Sequence, residues 1–195
     1  GQLAALTTAQ IQAMQEADLA VLSTAAIPGL TTAQVAALTT DQIQALTSAQ
    51  VARLDTADVR ALTAAQLEAM ESAQIGALTA TQVLALTTTQ LQAIEATDLA
   101  ALSTAAIGAL TTAQINKLTT EQIEALTTLQ VRSLKSTQLA AMTTAQVRAL
   151  ATEDVAAIST ASIAGLSTAQ IAAMTTDQIE ALTSAQIAKL DTADV

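Results

Sequence analysis

An eight-residue period runs through the whole chain, and it constrains the fold more than any other feature of the sequence. Thr31–Leu38 is followed directly by Thr39–Leu46, and the register holds without an insertion. In every octapeptide the fifth residue is Ile, Val or Leu, and the eighth is Leu, Ile or Met. We therefore interpret residues 1–195 as a single tandem-repeat array of about 24 octapeptides, and we expect it to be a fragment of a longer protein.

The period excludes both a continuous α-helix and a plain β-strand. In one unbroken helix, eight residues advance the azimuth by about 80° beyond two full turns, so the apolar positions would circle the whole cylinder. In a strand, the alternating gaps of five and three residues would place successive apolar side chains on opposite faces. A short helix that starts again in each octapeptide avoids both problems.

The start of each such helix is marked by a capping box. The first residue of most octapeptides is Thr or Ser, and Gln or Asp usually follows three residues later. Leu30, just before Thr31, and Val35 would form the accompanying hydrophobic staple. The sequence thus predicts an all-α solenoid with one capped helix per octapeptide. We expect the fifth and eighth positions in the core, the sixth in solvent and the seventh at a close helix–helix contact.

A β-solenoid is the alternative fold, because Thr, Ile and Val favour strands. The seventh position is nearly always Ala, however, and the Gln at the third helical position has no role in a strand. The chain also has only five glycines, where tight β-solenoid corners would need many. These features favour the helical solenoid.

The composition excludes most of the common catalytic and metal-binding sites. The chain contains no His, Cys, Phe, Trp or Tyr, so the usual zinc sites, a thiol nucleophile, a Ser-His-Asp triad and a disulfide are all excluded. We expect no enzyme activity and no catalytic, metal-binding or cofactor-binding residues. The net charge of −10 and the scattered basic residues argue against a nucleic-acid partner. No apolar run approaches the ~18 residues of a membrane span, so we expect no membrane insertion.

Five octapeptides carry Asp in the fourth position, where Gln is usual. They contain Asp18, Asp58, Asp98, Asp154 and Asp194. One interpretation is a superhelical turn of about five octapeptides that aligns these carboxylates in a row. The other, which we favour, is duplication history, because Thr39–Val59 is nearly identical to Thr175–Val195. Asp55 and Asp191 each precede such an Asp by three residues, and we interpret them as helix caps in preference to weak cation ligands.

The unit Leu-Thr-Thr-Ala-Gln-Ile/Val-x-Ala occurs at Leu30–Ala37, and a close variant occurs at Leu110–Lys117. It resembles the octapeptide tracts of very large bacterial secreted or surface proteins that carry adhesion, RTX-type or haem-utilisation labels. The resemblance covers essentially all of the chain, and it implies an extracellular or cell-surface bacterial protein. A haem role lacks support in the residues, because no His is present to ligate haem.

These observations give one leading functional hypothesis and two others. The first is a structural spacer, stalk or filament segment whose length is set by the number of repeats. The second is a solenoid binding module that recognises a protein or glycan surface through its variable sixth positions. A remote third is ice binding, since regular threonine arrays resemble the faces of some antifreeze proteins, although capping already explains the first Thr of each pair. We also expect end-to-end self-association, because terminal residues such as Leu3 and Leu190 lack one neighbouring repeat.

Overall fold

The computed structural model describes residues 2–190 as a series of short helices joined by sharp corners. These residues contain 22 α-helices and two 3₁₀ helices, and they contain no strand. The chain divides into two compact halves, Gly1–Leu102 and Ser103–Val195, which we call the N-terminal and C-terminal halves. The predicted all-α fold is confirmed, and the β-solenoid alternative is wrong for the described part of the chain.

Each α-helix is four to seven residues long. In the N-terminal half the α-helices are α1 Thr8–Gln12, α2 Glu16–Ala20, α3 Thr32–Ala37, α4 Thr40–Ala45, α5 Ser48–Val51, α6 Thr56–Ala61, α7 Ala64–Glu68, α8 Ser72–Gly76, α9 Ala80–Ala85, α10 Thr88–Ala93 and α11 Ala96–Leu99. In the C-terminal half they are α12 Thr104–Ala109, α13 Thr112–Lys117, α14 Thr120–Glu124, α15 Thr128–Arg132, α16 Ser136–Ala141, α17 Thr144–Ala149, α18 Thr152–Ala157, α19 Thr160–Ile163, α20 Thr168–Ala173, α21 Thr176–Glu180 and α22 Ser184–Leu190.

The predicted capping box is present at most helix starts. At α3, the Thr31 hydroxyl accepts a hydrogen bond from the Gln34 N–H, and the Thr31 N–H donates to the Gln34 side-chain oxygen at 2.8 Å. Two orphan N–H groups of the helix are satisfied in this way. The same reciprocal pair occurs at Thr39, Thr63 and Thr111. The first Thr of each pair is therefore a cap, as predicted.

Two extended residues form the corner between one helix and the next. Leu38 ends α3 with φ −56° and ψ 140°, and Thr39 begins α4 with φ −71° and ψ 164°. No residue in the described range 2–190 has a positive φ. The corner therefore needs no glycine, which explains how a solenoid with a turn in every octapeptide uses so few of them.

The apolar seam lies where the period placed it. Val35 and Leu38, at the fifth and eighth positions, are 0% and 4% exposed. Ala36 at the sixth position is exposed and Ala37 at the seventh is half-buried. The same assignment recurs through the middle of both halves, so the predicted core and solvent positions are confirmed.

Helices stack on helices that are three octapeptides away in sequence. In the N-terminal half α3 packs against α6 and α6 against α9. In the C-terminal half α14 packs against α17 and α17 against α20. Each half is therefore built in successive turns, as a solenoid is.

The prediction of one α-helix per octapeptide fails in two places. Leu3–Ala5 and Ile27–Gly29 form 3₁₀ helices. In the second case, Ala26 replaces the Gln of the capping box, and Pro28 has no N–H to donate to an α-helical bond. The octapeptide still buries Ile27 and Leu30, so the core tolerates the loss of regular helix.

Removal of a cap should destabilise the array, whereas removal of the neighbouring exposed threonine should not. We expect Thr39→Ala and Thr111→Ala each to lower the free energy of unfolding by about 0.5–2 kcal/mol. Thr40→Ala and Thr112→Ala, which alter exposed first helical residues, serve as matched controls. Urea unfolding followed by circular dichroism measures the difference, and equal effects at both positions would contradict the cap assignment.

Gly165 allows two turns of the C-terminal half to approach closely. A Cβ at this position would overlap the main-chain O, C and Cα atoms of Ser136, whereas a Cβ on Gly29 would meet no atom within 4 Å. We expect Gly165→Ala to destabilise the protein by about 1–3 kcal/mol through overpacking. Gly29→Ala should be neutral or mildly stabilising. Thermal unfolding of both variants tests this contrast, which a similar effect of the two changes would refute.

Candidate functional site

The fourth-position glutamines are buried, although glutamine is mostly a surface residue. Gln34, Gln66 and Gln146 are each 2% exposed. A buried primary amide must find partners for its oxygen and for its N–H groups, because an unpaired buried polar group costs about 1–3 kcal/mol. The capping box accounts for the oxygen alone.

Gln66 shows where the amide nitrogen goes. Its Oε1 accepts from the Thr63 N–H at 2.7 Å, which belongs to the start of its own helix. Its Nε2 donates to the Val35 carbonyl at 3.0 Å and to the Leu38 carbonyl at 2.7 Å. These two acceptors lie at the fifth and eighth positions of an octapeptide in the preceding turn. One side chain thus joins the first residue of one helix to the last residues of another.

This arrangement recurs with a fixed spacing, and we call it the glutamine ladder. The two acceptors lie 31 and 28 residues before the glutamine, in the fourth preceding octapeptide. Because helices also stack on the third preceding octapeptide, one turn takes between three and four octapeptides in each half. Glutamines with both bonds are Gln34, Gln42, Gln50, Gln66, Gln74, Gln82 and Gln90, and Gln138, Gln146, Gln170, Gln178 and Gln186.

Sequence reasoning missed the ladder because it treated the fourth residue only as a capping partner. A signal was nevertheless available. A capping box accepts Glu as readily as Gln, yet no octapeptide has Glu in the fourth position. Glutamate would keep the acceptor oxygen and lose the N–H donors. Its complete exclusion indicates that the amide nitrogen is required.

Where Asp replaces Gln the ladder bond is lost, and at Asp98 and Asp154 a hydroxyl 26 residues earlier is the hydrogen-bond donor. The Ser72 hydroxyl donates to Asp98 Oδ1 in this way. Asp154 receives a hydrogen bond from the side chain of Thr128, which has the same spacing. Even so, Asp154 Oδ1 and Asp58 Oδ2 are buried oxygens with no hydrogen-bond partner.

Burial raises the pKa of both of these carboxyls. For Asp58 the main cause is desolvation, the nearby Asp55 charge adds to it, and a hydrogen bond from the main chain partly opposes it. For Asp154 desolvation again dominates, the Thr128 hydrogen bond opposes it, and Glu153 adds to it. Each carboxylate is less favourable in the folded chain than in water.

The structure corrects one interpretation of the aspartate spacing. A turn of five octapeptides would bring the helices of Asp18 and Asp58 together, but α2 packs against α4 and α6 packs against α3 and α9. The idea of an aligned row is therefore wrong, since the turn takes fewer than four octapeptides. Asp194 lies outside the described residues.

Asp55 acts as a helix cap, as the sequence predicted, because its carboxylate accepts from the Asp58 N–H at 2.8 Å. Within residues 2–190 there is no group of three or more His, Cys, Asp or Glu side chains that could hold a metal ion. Asp191, the other predicted cap, lies outside the described range.

A shallow groove of about 420 Å³ lies in the C-terminal half between α15, α18 and α22. Leu129, Arg132, Ser159 and Gln186 contribute to its lining, and Arg132 is the one ionisable residue there. Such a lining offers no pair of acid and base groups for proton transfer. It gives no chemical argument for catalysis.

The chain belongs to the ALTTAQ repeat family. The family model matches residues 11–48, 51–88, 91–128, 123–152 and 147–184. No curated protein matches the chain. None of the helices in the part of the chain that the structure describes is long and apolar enough to cross a membrane.

The family matches support duplication as the origin of the aspartate pattern. Asp18, Asp58, Asp98 and Asp154 each lie seven residues after the start of a match, at residues 11, 51, 91 and 147 respectively. The fifth match starts at residue 123 and has Gln130 at this position, so four of the five matches carry the aspartate. Copying of a larger repeat would produce this spacing without any alignment of the carboxylates in space.

Loss of a ladder amide should cost more than the loss of an exposed glutamine. We expect Gln66→Leu to lower the free energy of unfolding by about 2–4 kcal/mol, because it leaves the Thr63 N–H and the Leu38 carbonyl without these partners and leaves the Val35 carbonyl with only the Leu38 N–H. Gln44→Leu, at an exposed sixth position, is the matched control. Urea unfolding of both variants checks the expectation, and similar stabilities would mean that the ladder contributes little.

Proposed function

We propose that this protein is a structural spacer, stalk or filament segment of a larger repeat protein, and that it has no catalytic role. The observation that carries the proposal is the glutamine ladder. Because the same bonds recur between successive turns in each half, adding octapeptides adds turns without a new type of contact. A chain built in this way is suited to setting a distance through the number of its repeats.

The ladder also supports mechanical stiffness. Helices of four to seven residues are unstable alone, since most of their main-chain groups lack an internal partner. Each ladder glutamine ties the start of one helix to the end of another in the preceding turn, as Gln146 does with the carbonyls of Ile115 and Leu118. Separation of two turns would therefore break several buried hydrogen bonds at once.

An extracellular or cell-surface location in a bacterium is part of the proposal. Its support is the resemblance of the octapeptide to tracts in very large secreted or surface proteins. A spacer that holds another domain away from the cell would use the properties described above.

Self-association is also part of the proposal, and the C-terminal half offers a surface for it. Ile179 and Ile187 occupy fifth positions, which are almost fully buried in the middle of both halves, yet they are 42% and 51% exposed. A second copy of the array packed on this surface would cover these side chains.

A binding module is the second candidate function, and the exposed sixth positions favour it. Arg60, Glu68 and Arg148 show the variety of side chains at these positions. Binding hot spots are usually aromatic or arginine anchors in desolvated pockets, and the chain has no aromatic residue. The spacer therefore remains the better supported proposal.

The spacer function is tested by changing the number of repeats. We expect duplication of residues 111–150 within the full chain, once and then twice, to lengthen the particle by equal increments. Small-angle X-ray scattering measures the maximum dimension of each variant. The control carries the same insert with its fourth-position glutamines changed to Glu, which should not form a ladder. A particle that becomes rounder, or a length that does not depend on the inserted repeats, would refute the proposal.

A further inference from the structure

The ladder is interrupted at Asp58, where no glutamine amide is available to bond with the preceding turn. By the spacing of the ladder, the acceptors for this position are the carbonyls of Ile27 and Leu30. Neither receives a side-chain donor, and the Ile27 carbonyl accepts from the Leu30 N–H at 3.0 Å. Asp58 occupies the ladder position for this turn; the residue is 1% exposed, and its Oδ2 is buried without a hydrogen-bond partner. An ionised carboxylate offers only acceptors, so it cannot bond with the carbonyls.

The surroundings of Asp58 contain few other charges. Its helix, α6, packs against α3 and α9, and neither of these helices carries a titratable residue. The charged groups nearest in sequence are Asp55, which caps α6, and Arg60, which is exposed at a sixth position. Protonation of Asp58 is therefore the simplest way to relieve the buried, unpaired oxygen.

We propose that the octapeptides carrying Asp58 and Asp154 are pH-sensitive joints of the array. On protonation, each carboxyl gains an O–H group that donates to a main-chain carbonyl where other turns use a glutamine amide. The proton comes from solvent, no other bond changes, and the ladder is closed at that turn. Acidification thus tightens the array at two defined places.

Asp154 has more charged neighbours than Asp58. We therefore expect its octapeptide to respond less strongly to pH than that of Asp58. Its helix, α18, packs against α15, which carries Arg132, and against α21, which carries Asp177 and Glu180. Glu153 precedes it on the same helix. The Thr128 hydroxyl satisfies one of its oxygens and leaves Oδ1 without a partner.

The direction of the pH effect follows from the raised pKa values. At pH values between the ordinary aspartate pKa of 3.8 and the raised pKa of the folded chain, the folded chain binds more protons than the unfolded chain. Stability from these two groups therefore increases as the pH falls through the folded pKa, and it is fully present below the ordinary pKa. It is lost as the pH rises through the folded pKa. Each pKa unit corresponds to about a tenfold change in the folding equilibrium.

The experiment compares Asp58→Asn, Asp58→Gln and Asp41→Asn in the full chain. Asparagine has the shape of protonated aspartic acid and also carries donors, whereas glutamine restores the ladder side chain. Asp41→Asn removes the same charge from an exposed position and controls for the general effect of net charge. Hydrogen exchange of the amides in residues 27–30 and 55–62 is measured at about pH 7 and about pH 4.5.

We expect both Asp58 variants to slow exchange at neutral pH by at least about threefold relative to Asp41→Asn. We also expect them to lose most of the acid-induced protection that the wild-type chain shows in these segments after correction for intrinsic exchange rates. As an independent readout, carboxyl ¹³C NMR should show Asp58 and Asp154 titrating above the ordinary aspartate pKa of 3.8. The proposal is overturned if Asp58 titrates at the ordinary aspartate pKa, or if the amides of the Asp58 variants exchange at the same rates as those of the Asp41→Asn control.

Discussion

Every other feature of this structure depends on how a very short helix finds hydrogen-bond partners for its main-chain N–H and C=O groups. An α-helix leaves four N–H groups and four C=O groups without internal partners, which is most of a helix as short as α5. The threonine hydroxyl and the glutamine oxygen satisfy the start of most helices, as at α3. The amide nitrogen of a glutamine from the next turn satisfies the end. No helix of this size is a stable unit, so the bond between turns is part of the local structure as well as of the packing.

The same requirement explains the length of the repeat. A helix of about six residues followed by an extended pair gives eight, and both extended residues have a function. Leu38 closes the core of one octapeptide and Thr39 caps the next helix. A shorter unit would lose a core position or the cap. A longer one would shift the glutamine away from the carbonyls that lie 28 and 31 residues earlier. The strict period in the sequence therefore reflects a register between turns.

Most of the local structure could be predicted from the sequence, and the relation between turns could not. Periodicity identified the core positions, as with Val35 and Leu38, and the capping box identified the helix starts. The second role of Gln34 was missed, because one octapeptide contains nothing about the neighbour four octapeptides away. Only the absence of Glu from the fourth position pointed to it. The 3₁₀ helix at Ile27–Gly29 likewise combines two local deviations, Ala26 and Pro28, that the apolar pattern conceals.

The aspartates recur because a larger repeat was copied, but each one has its own burial and hydrogen bonds. Copying of a larger repeat explains why Asp18, Asp58 and Asp98 recur at equal intervals, but it does not make them equivalent. Asp18 is exposed, Asp98 accepts from the Ser72 hydroxyl, and Asp58 has a buried oxygen without a partner. The type of residue 26 positions earlier does not by itself decide the difference, because Thr32 has this spacing to Asp58 as Ser72 has to Asp98. A single Gln-to-Asp change copied along the array thus produces positions that differ in burial and in hydrogen bonding, and only the buried, incompletely bonded ones have the properties of a pH-sensitive joint.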